Sequence, residues 1–346
     1  MLTIYTLEQS ELWDAAVRTF EKHDAYYLSG YVKGFQIHGD GEPLLFFYDN
    51  HKGTRGINVV MKRDITKDPR FAKKLEAGTY FDLSSPYGYG GWLIEGTDTD
   101  SLFAAYETWC RKNSVVSEFV RYHPVLENHI GLETAYEVVP LGETVTMDIS
   151  SPETIWTNII SKNRNMIRKA QKNGILIYTA RCPEIYETFR AIYNGTMDKD
   201  HADPYYYFGQ EFYTSILNDL PHNAQVFYAV LDGKVIAASI MLMCNGRMNY
   251  HLSGSVKEYA HLAPTNLLLY EAALWGCAHG CKTLYLGGGV GSGEDSLLKF
   301  KRSFYRGEIV HRFHIGKKIF DNAKYQYLID LRDDLSESSF FPRYRA

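Results

Sequence analysis

Little in this 346-residue chain is present in excess, and each scarcity excludes a class of function. Five cysteines, odd in number and scattered over Cys110, Cys182, Cys244, Cys277 and Cys281, exclude a disulfide scaffold and fit reduced, buried thiols. Cys277 and Cys281 lie four apart on an expected helix, yet no second ligand pair accompanies them, so no zinc site follows. The longest apolar stretch, Val235–Cys244 with Ser239 inside it, is too short to span a bilayer and reads as a buried strand. Neither charge dominates: 37 basic against 41 acidic side chains leave a net charge of -4, so a globally basic nucleic-acid binder is not expected and DNA is not an expected partner. The amino-terminal MLTIYTLEQSELWD carries acids and no apolar run; it does not read as a secretory signal, and a cytoplasmic location is the expectation.

Reaction signatures are scarce too. There is no Gly-x-Ser-x-Gly and no His-Glu-x-x-His, and the 12 histidines never pair at ligand spacing on a helix. The glycine run 287–293 is followed by no Gly-Lys-Ser/Thr, and Gly289-x-Gly291 meets Glu294 where a dinucleotide fingerprint wants glycine. Nucleophilic and metal mechanisms therefore lose ground to direct transfer, in which two substrates react with each other and the protein supplies position and electrostatics.

What the chain has is 45% apolar residues, 23% charged residues and 27 tyrosines. Its length suggests two domains. From residue 225 onward the element order is legible. Strands Val226–Leu231 and Val235–Cys244 flank Asp232-Gly233, a two-residue hairpin signal, and Asn245-Gly246 leads into a third strand, Arg247–Ser253. A helix over Pro264–His279 ends at Gly280, a strand Lys282–Leu286 enters the glycine loop, and a helix Glu294–Phe304 and a strand Glu308–Ile315 follow. Upstream, Ser151-Pro152-Glu153 opens a helix that Gly174 closes; then come a strand, Ile175–Ala180, and helices Pro183–Asp198 and Gly209–Asp219. The first half repeats this order more faintly, so a duplicated domain is expected, residues 1–150 and 151–346, with the boundary in Asp148–Pro152.

Two acid-free basic clusters break the neutral background. Ser161–Lys172 carries five cations, and Arg164, Arg168 and Lys172 stack at i, i+4 and i+8 on one helix face, where like charges cost a few tenths of a kcal/mol per pair. A solvated face near a helix C-terminus and a surface for an anionic substrate, diphosphate or nucleic acid are both open readings. Lys299–Arg306 interleaves four cations with aromatics; Phe300 and Phe304 read as anchors, and Lys301 between them is the best single catalytic candidate. Gly288 and Gly289 either meet backbone demands or line a cleft with their amides. Tyr205, Tyr206 and Tyr207, and in the first half Tyr87 and Tyr89, are either packed linkers or substrate walls, and Arg121 ends a strand where it could reach the same cleft.

These residues carry a resemblance. Ser161-Lys162-Asn163-Arg164 with Arg168-Lys169-Ala170 and Gly174, Met197-Asp198-Lys199 with Tyr205–Phe208, Leu284-Tyr285-Leu286-Gly287-Gly288, and Phe300-Lys301-x-x-Phe304 resemble the FemABX-type aminoacyl transferases and their acetyltransferase-like GNAT relatives. The resemblance covers residues 151–316 and, less specifically, Tyr87–Gly91 and Arg121–Pro124. Lys199 stands where relatives often have Arg, and Tyr305 where a Gly is common. The resemblance implies an α/β (α+β) fold of two tandem GNAT-like domains, each a mixed, mostly antiparallel sheet flanked by helices. It implies transfer of an aminoacyl group from aminoacyl-tRNA to a free amine of a peptidoglycan precursor, without a metal or covalent enzyme intermediate. Lys301 would then stabilise the oxyanion. Arg164, Arg168, Lys172, Lys199, the five tyrosines, Arg121, Gly288, Gly289 and Phe300 would contact a small-molecule or nucleotide-linked muropeptide or a charged tRNA, with at most transient membrane-surface contact. The alternatives are an acetyl-CoA-dependent N-acetyltransferase for an amino sugar or small amine, and a non-catalytic binding module.

Overall fold

The structure, a computed structural model, describes residues 1–291, 293–307, 309–333 and 339–346. Ser292 of the glycine loop and Glu308, the expected start of the last strand, lie outside the described residues. The chain forms two compact units, Met1–Leu141 with Phe313–Ala346, and Gly142–Arg312.

Unit 1 begins with β1 (Leu2–Tyr5), α1 (Ser10–Arg18), α2 (Ser29–His38), β2 (Glu42–Asp49), β3 (Arg55–Asp64), β4 (Phe81–Ser84), β5 (Leu93–Glu95), α3 (Thr99–Lys112) and β6 (Val115–Arg121). The chain then enters unit 2 within β7 (Glu137–Asp148). There it forms α4 (Pro152–Asn158), α5 (Ser161–Lys172), β8 (Leu176–Ala180), α6 (Pro183–Lys199), α7 (Gln210–Asp219), β9 (Ala224–Leu231), β10 (Lys234–Cys244), β11 (Arg247–Ser255), α8 (Pro264–Ala278), β12 (Thr283–Gly287) and α9 (Ser296–Arg302). Within β13 (His311–Ile319) it returns to unit 1, which it completes with α10 (Asn322–Asp330).

Each sheet is antiparallel except at one place. Unit 1 has the strand order β1-β2-β3-β4-β6-β13, with β5 on β3, and its parallel pair is β4 with β6. Unit 2 has the order β7-β12-β11-β10-β9-β8, and its parallel pair is β11 with β12. In both, a helix of at least 14 residues lies in sequence between the parallel strands, α3 in one and α8 in the other. This is the crossover that parallel pairing requires. The mixed, mostly antiparallel architecture expected from the sequence is therefore present twice.

The division differs from the expected boundary at residues 148–152 for a definite reason. β7 follows β6 in the chain, yet its residues Val145–Asp148 pair with β12 in unit 2. β13 follows the last helix of unit 2, yet its residues Ile315–Ile319 pair with β6 in unit 1. Each unit thus receives its closing strand from a distant part of the sequence, a long-range pairing that local patterns do not encode.

Local chemistry explains most other elements. Asp232-Gly233 and Asn245-Gly246 all have positive φ, the requirement of the tight turns that join twisted antiparallel strands. Ser151 caps α4, its Oγ accepting from Thr154 N at 3.1 Å, and Gly174 and Gly280 take the left-handed conformation after α5 and α8. The expected single helix from Ser151 to Gly174 is two helices. Ile159 and Ile160 are extended, and Ile160 N donates to Ser303 O at 3.1 Å, so a bond to the segment after α9 replaces the helical one. The unit 2 core gathers Ile167, Met248, Leu268, Leu284, Leu298 and Phe304 between sheet and helices.

Candidate active site

Pairing between β11 and β12 runs from Arg247↔Thr283 to Asn249↔Tyr285 and stops, although β11 continues to Ser255 and β12 to Gly287. Ligands of open sheets bind beyond the carboxyl ends of strands, where connections diverge. Gly287, at the end of β12, takes φ +78 and turns the chain into the glycine loop. The carbonyl of Gly288 then faces the Nζ of Lys301, which donates to it at 2.6 Å.

Lys301 is placed by its neighbours in sequence. Phe304 is fully buried, and Phe300 packs edge-on against it at 5.3 Å while contributing to the core. With both anchors fixed, the Lys301 side chain is only 8% exposed. Burial disfavours its charge and lowers its pKa from the ordinary 10.5 to about 8, while the nearby Asp295 carboxylate acts in the opposite direction. An ammonium carries three N–H groups, and Gly288 takes one, so donors remain for a reacting oxygen.

Asp295 was not singled out in the sequence, although its place just before Ser296-Leu297-Leu298 is an N-cap signal. Its Oδ1 accepts from Leu298 N at 2.7 Å and caps α9, and its Oδ2 accepts from Val290 N. One carboxylate therefore ties the glycine loop to the helix that carries Lys301. Gly289 packs so closely on this carboxylate that a Cβ would overlap it, and a Cβ on Gly288 would approach the Glu143 carbonyl at 3.0 Å. These two glycines meet close approaches of protein to protein. Arg302 on α9 bridges Glu294 and Glu143 at 2.5 Å each, so one of the four cations of the second basic cluster is held in ion pairs.

The remaining candidates divide between the units. In unit 2, Arg164 and Arg168 on α5 lie over the ring of Trp156, at 5.8 and 5.1 Å from its centroid, and Lys172 is exposed one turn further on. The same helix is held to α8 by Asn163, buried, whose Oδ1 accepts from Asn266 Nδ2 at 2.7 Å. Lys199 is exposed at the end of α6 and pairs with Asp200 at 3.1 Å. Tyr205 and Tyr206 are exposed and meet edge to face at 5.5 Å, while the Tyr207 hydroxyl donates to Asp198 at 2.8 Å. In unit 1, Tyr87 stacks on Phe35 at 5.6 Å, and Tyr89 meets Tyr26, His123 and Phe313. Arg121 lies against Tyr89 and Phe313. Twelve of the 27 tyrosines are buried in the cores: Tyr26, Tyr27, Tyr31, Tyr48, Tyr106, Tyr122, Tyr136, Tyr186, Tyr193, Tyr213, Tyr285 and Tyr344.

Among the described residues no group of three or more His, Cys, Asp or Glu side chains could hold a metal ion, and no helix is long and apolar enough to cross a membrane. Residues 160–302 match the family model described as an acetyltransferase (GNAT) domain. No curated protein matches the chain. Among solved structures the chain is similar to FemX, with 13% identity over 94% of this chain and 99% of that one and a TM-score of 0.68. It is also similar to a conserved protein of unknown function from Bacteroides thetaiotaomicron, with 12% identity, coverage of 92% and 100% and a TM-score of 0.60. A tandem GNAT protein from the clavulanic acid biosynthesis pathway matches with 8% identity, coverage of 93% and 99% and a TM-score of 0.50. At these identities the likeness is one of fold. The matched segment 160–302 contains the parallel pair β11–β12, the glycine loop and Lys301, and the match marks the chain as an acyltransferase.

Proposed function

We propose that unit 2 transfers an aminoacyl group from aminoacyl-tRNA to a free amine of a peptidoglycan precursor, with Lys301 as the catalytic residue. The observation that carries this reading is the buried Lys301 ammonium fixed on Gly288 O beyond the end of β12. The choice of substrates rests on the resemblance of residues 151–316 to the FemABX-type transferases.

The attacking amine forms a C–N bond at the ester carbonyl, whose oxygen becomes an oxyanion. A fixed N–H donor in a water-poor site stabilises that charge far better than solvent does. Collapse breaks the bond to the departing ribose oxygen. With a pKa of about 8, Lys301 is mostly charged at neutral pH and close enough to its pKa to give a proton to that oxygen. The proton lost by the amine restores it. The row Arg164, Arg168 and Lys172 would meet the phosphates of the donor.

The second donor, acetyl-CoA, is the one GNAT domains use, and it carries a diphosphate. Helix N-termini bind phosphate through free amides and the helix dipole. Here Pro264, which has no N–H, opens α8, and the carboxylate of Asp295 occupies the start of α9. A first-turn proline removes one amide and leaves those of Thr265 and Asn266, so the choice between the two donors falls to the assay. The test runs thiol release from acetyl-CoA beside label transfer from charged tRNA to a nucleotide-linked muropeptide, for the wild-type chain and for Lys301→Ala. Thiol release without tRNA-dependent transfer contradicts the reading.

A further inference from the structure

Unit 1 also carries a cation at the end of its parallel pair, β4 with β6. Arg121 is the last residue of β6, as Gly287, next to the carbonyl that Lys301 holds, is the last of β12. Arg121 is half-buried, and its surroundings are built to hold it. Its Nε donates to Gly88 O at 2.9 Å, its backbone N to Ser85 Oγ at 3.0 Å, and its carbonyl accepts from Gly90 N at 2.8 Å. The segment Ser85–Gly90 therefore wraps it on one side. Gly88 must be glycine there: it has φ +92, and a Cβ would lie 2.5 Å from a carbon of the Tyr26 ring.

The guanidinium carbon lies 4.7 Å from the Phe313 centroid and 6.0 Å from that of Tyr89. These two rings meet edge to face at 5.8 Å, and Tyr89 is held from behind by Tyr26 at 5.3 Å and His123 at 5.2 Å. Two aromatic walls, a fixed backbone and a half-buried cation thus converge. Among the described residues Arg121 forms no ion pair, and Nε is its only side-chain nitrogen with a protein acceptor. The Nη1–Nη2 edge, the fork that matches a planar carboxylate with two parallel hydrogen bonds, is left to a ligand.

We propose that Arg121, walled by Tyr89 and Phe313, binds a carboxylate of a peptide ligand. That this peptide is the acceptor rests on the reading of the preceding subsection; the carboxylate site itself does not. The experiment is calorimetric binding without any acyl donor, using wild type, Arg121→Lys and Arg121→Gln. The probes are a nucleotide-linked muropeptide, the same molecule with its peptide carboxylates amidated, an unrelated short peptide with a free carboxylate, and UDP. Wild type is expected to bind the free acids at least tenfold more tightly than the amidated form, and Arg121→Gln to lose that preference. Arg121-dependent binding of the unrelated peptide but not of the muropeptide keeps the carboxylate site and removes the proposed acceptor. Equal binding of free and amidated forms by wild type overturns the carboxylate site, and this arm needs no variant to fold. Preference retained in Arg121→Gln, no binding of either free acid, or full Arg121 dependence with UDP alone overturns it as well.

Discussion

The Nζ of Lys301 donates to the carbonyl of Gly288 at 2.6 Å, joining the last helix of unit 2 to the loop that leaves β12. The bond gives a buried ammonium one fixed partner and leaves its other protons for chemistry. Burial makes that arrangement costly to the fold, and the cost depends on pH.

The first expected outcome concerns stability. Lys301 titrates near pH 8 when folded and near 10.5 when exposed, so between these values the unfolded chain holds more protons than the folded one. Stability therefore rises with pH across that window, by on the order of 3 kcal/mol in all. Below pH 8 the penalty for the buried charge is fully present. Lys301→Met is expected to be more stable than wild type at pH 7 and to lack the rise; denaturant unfolding from pH 7 to 11 measures both. A wild-type curve with the same slope as the variant contradicts the burial account.

Asp295 holds the pKa of Lys301 up through its charge and holds the loop through its two acceptors. Asp295→Asn keeps an acceptor but removes the charge. The alkaline limb of the rate profile, where Lys301 loses its proton, is expected to move to lower pH in this variant, and in Lys301→Arg to disappear from the range near pH 8. A limb unmoved by both changes means that another group titrates.

Arg164, Arg168 and Lys172 present a row of cations with no acid on the same helix. If they meet tRNA phosphates, replacing one by alanine lowers the slope of log K against log salt by roughly 0.7 to 0.9. Filter binding of tRNA at several salt concentrations reads this directly. Weaker binding with an unchanged slope assigns them a packing role, through Trp156 for the two arginines.

Gly254 lies on β11 directly beneath α6, and a Cβ there would approach Tyr193 Cα at 2.8 Å and the Ile192 carbonyl at 2.9 Å. Gly254→Ala must push the helix from the sheet and is expected to cost about 1–3 kcal/mol. Thermal unfolding checks it, and an unchanged midpoint means that α6 is free to shift.

What the sequence disclosed follows from where its information is local. The hairpins at Asp232-Gly233 and Asn245-Gly246, the cap at Ser151 and the stops at Gly174 and Gly280 depend on residues within a turn, and all are where the patterns put them. Lys301 between Phe300 and Phe304 stood out for the same reason. Helix α2 did not, because Ser29, Gly30, Tyr31, Val32, Gly34 and Phe35 are all buried and the helix shows little polar face to set a period. The break at Ile159-Ile160 depends on Ser303, and the closing strands of both sheets come from far along the chain. The tyrosine count alone did not separate core from surface: a ring with a hydroxyl suits both, and 12 of the 27 are buried.

The central claim is that Lys301 stabilises charge during acyl transfer, and the most direct measurement is the single-turnover rate of transfer from charged tRNA to a nucleotide-linked muropeptide. Lys301→Ala is expected to lower that rate by roughly 100- to 1,000-fold, as loss of one oxyanion donor does, with the fold retained by circular dichroism. A folded Lys301→Ala chain that transfers at the wild-type rate contradicts the claim.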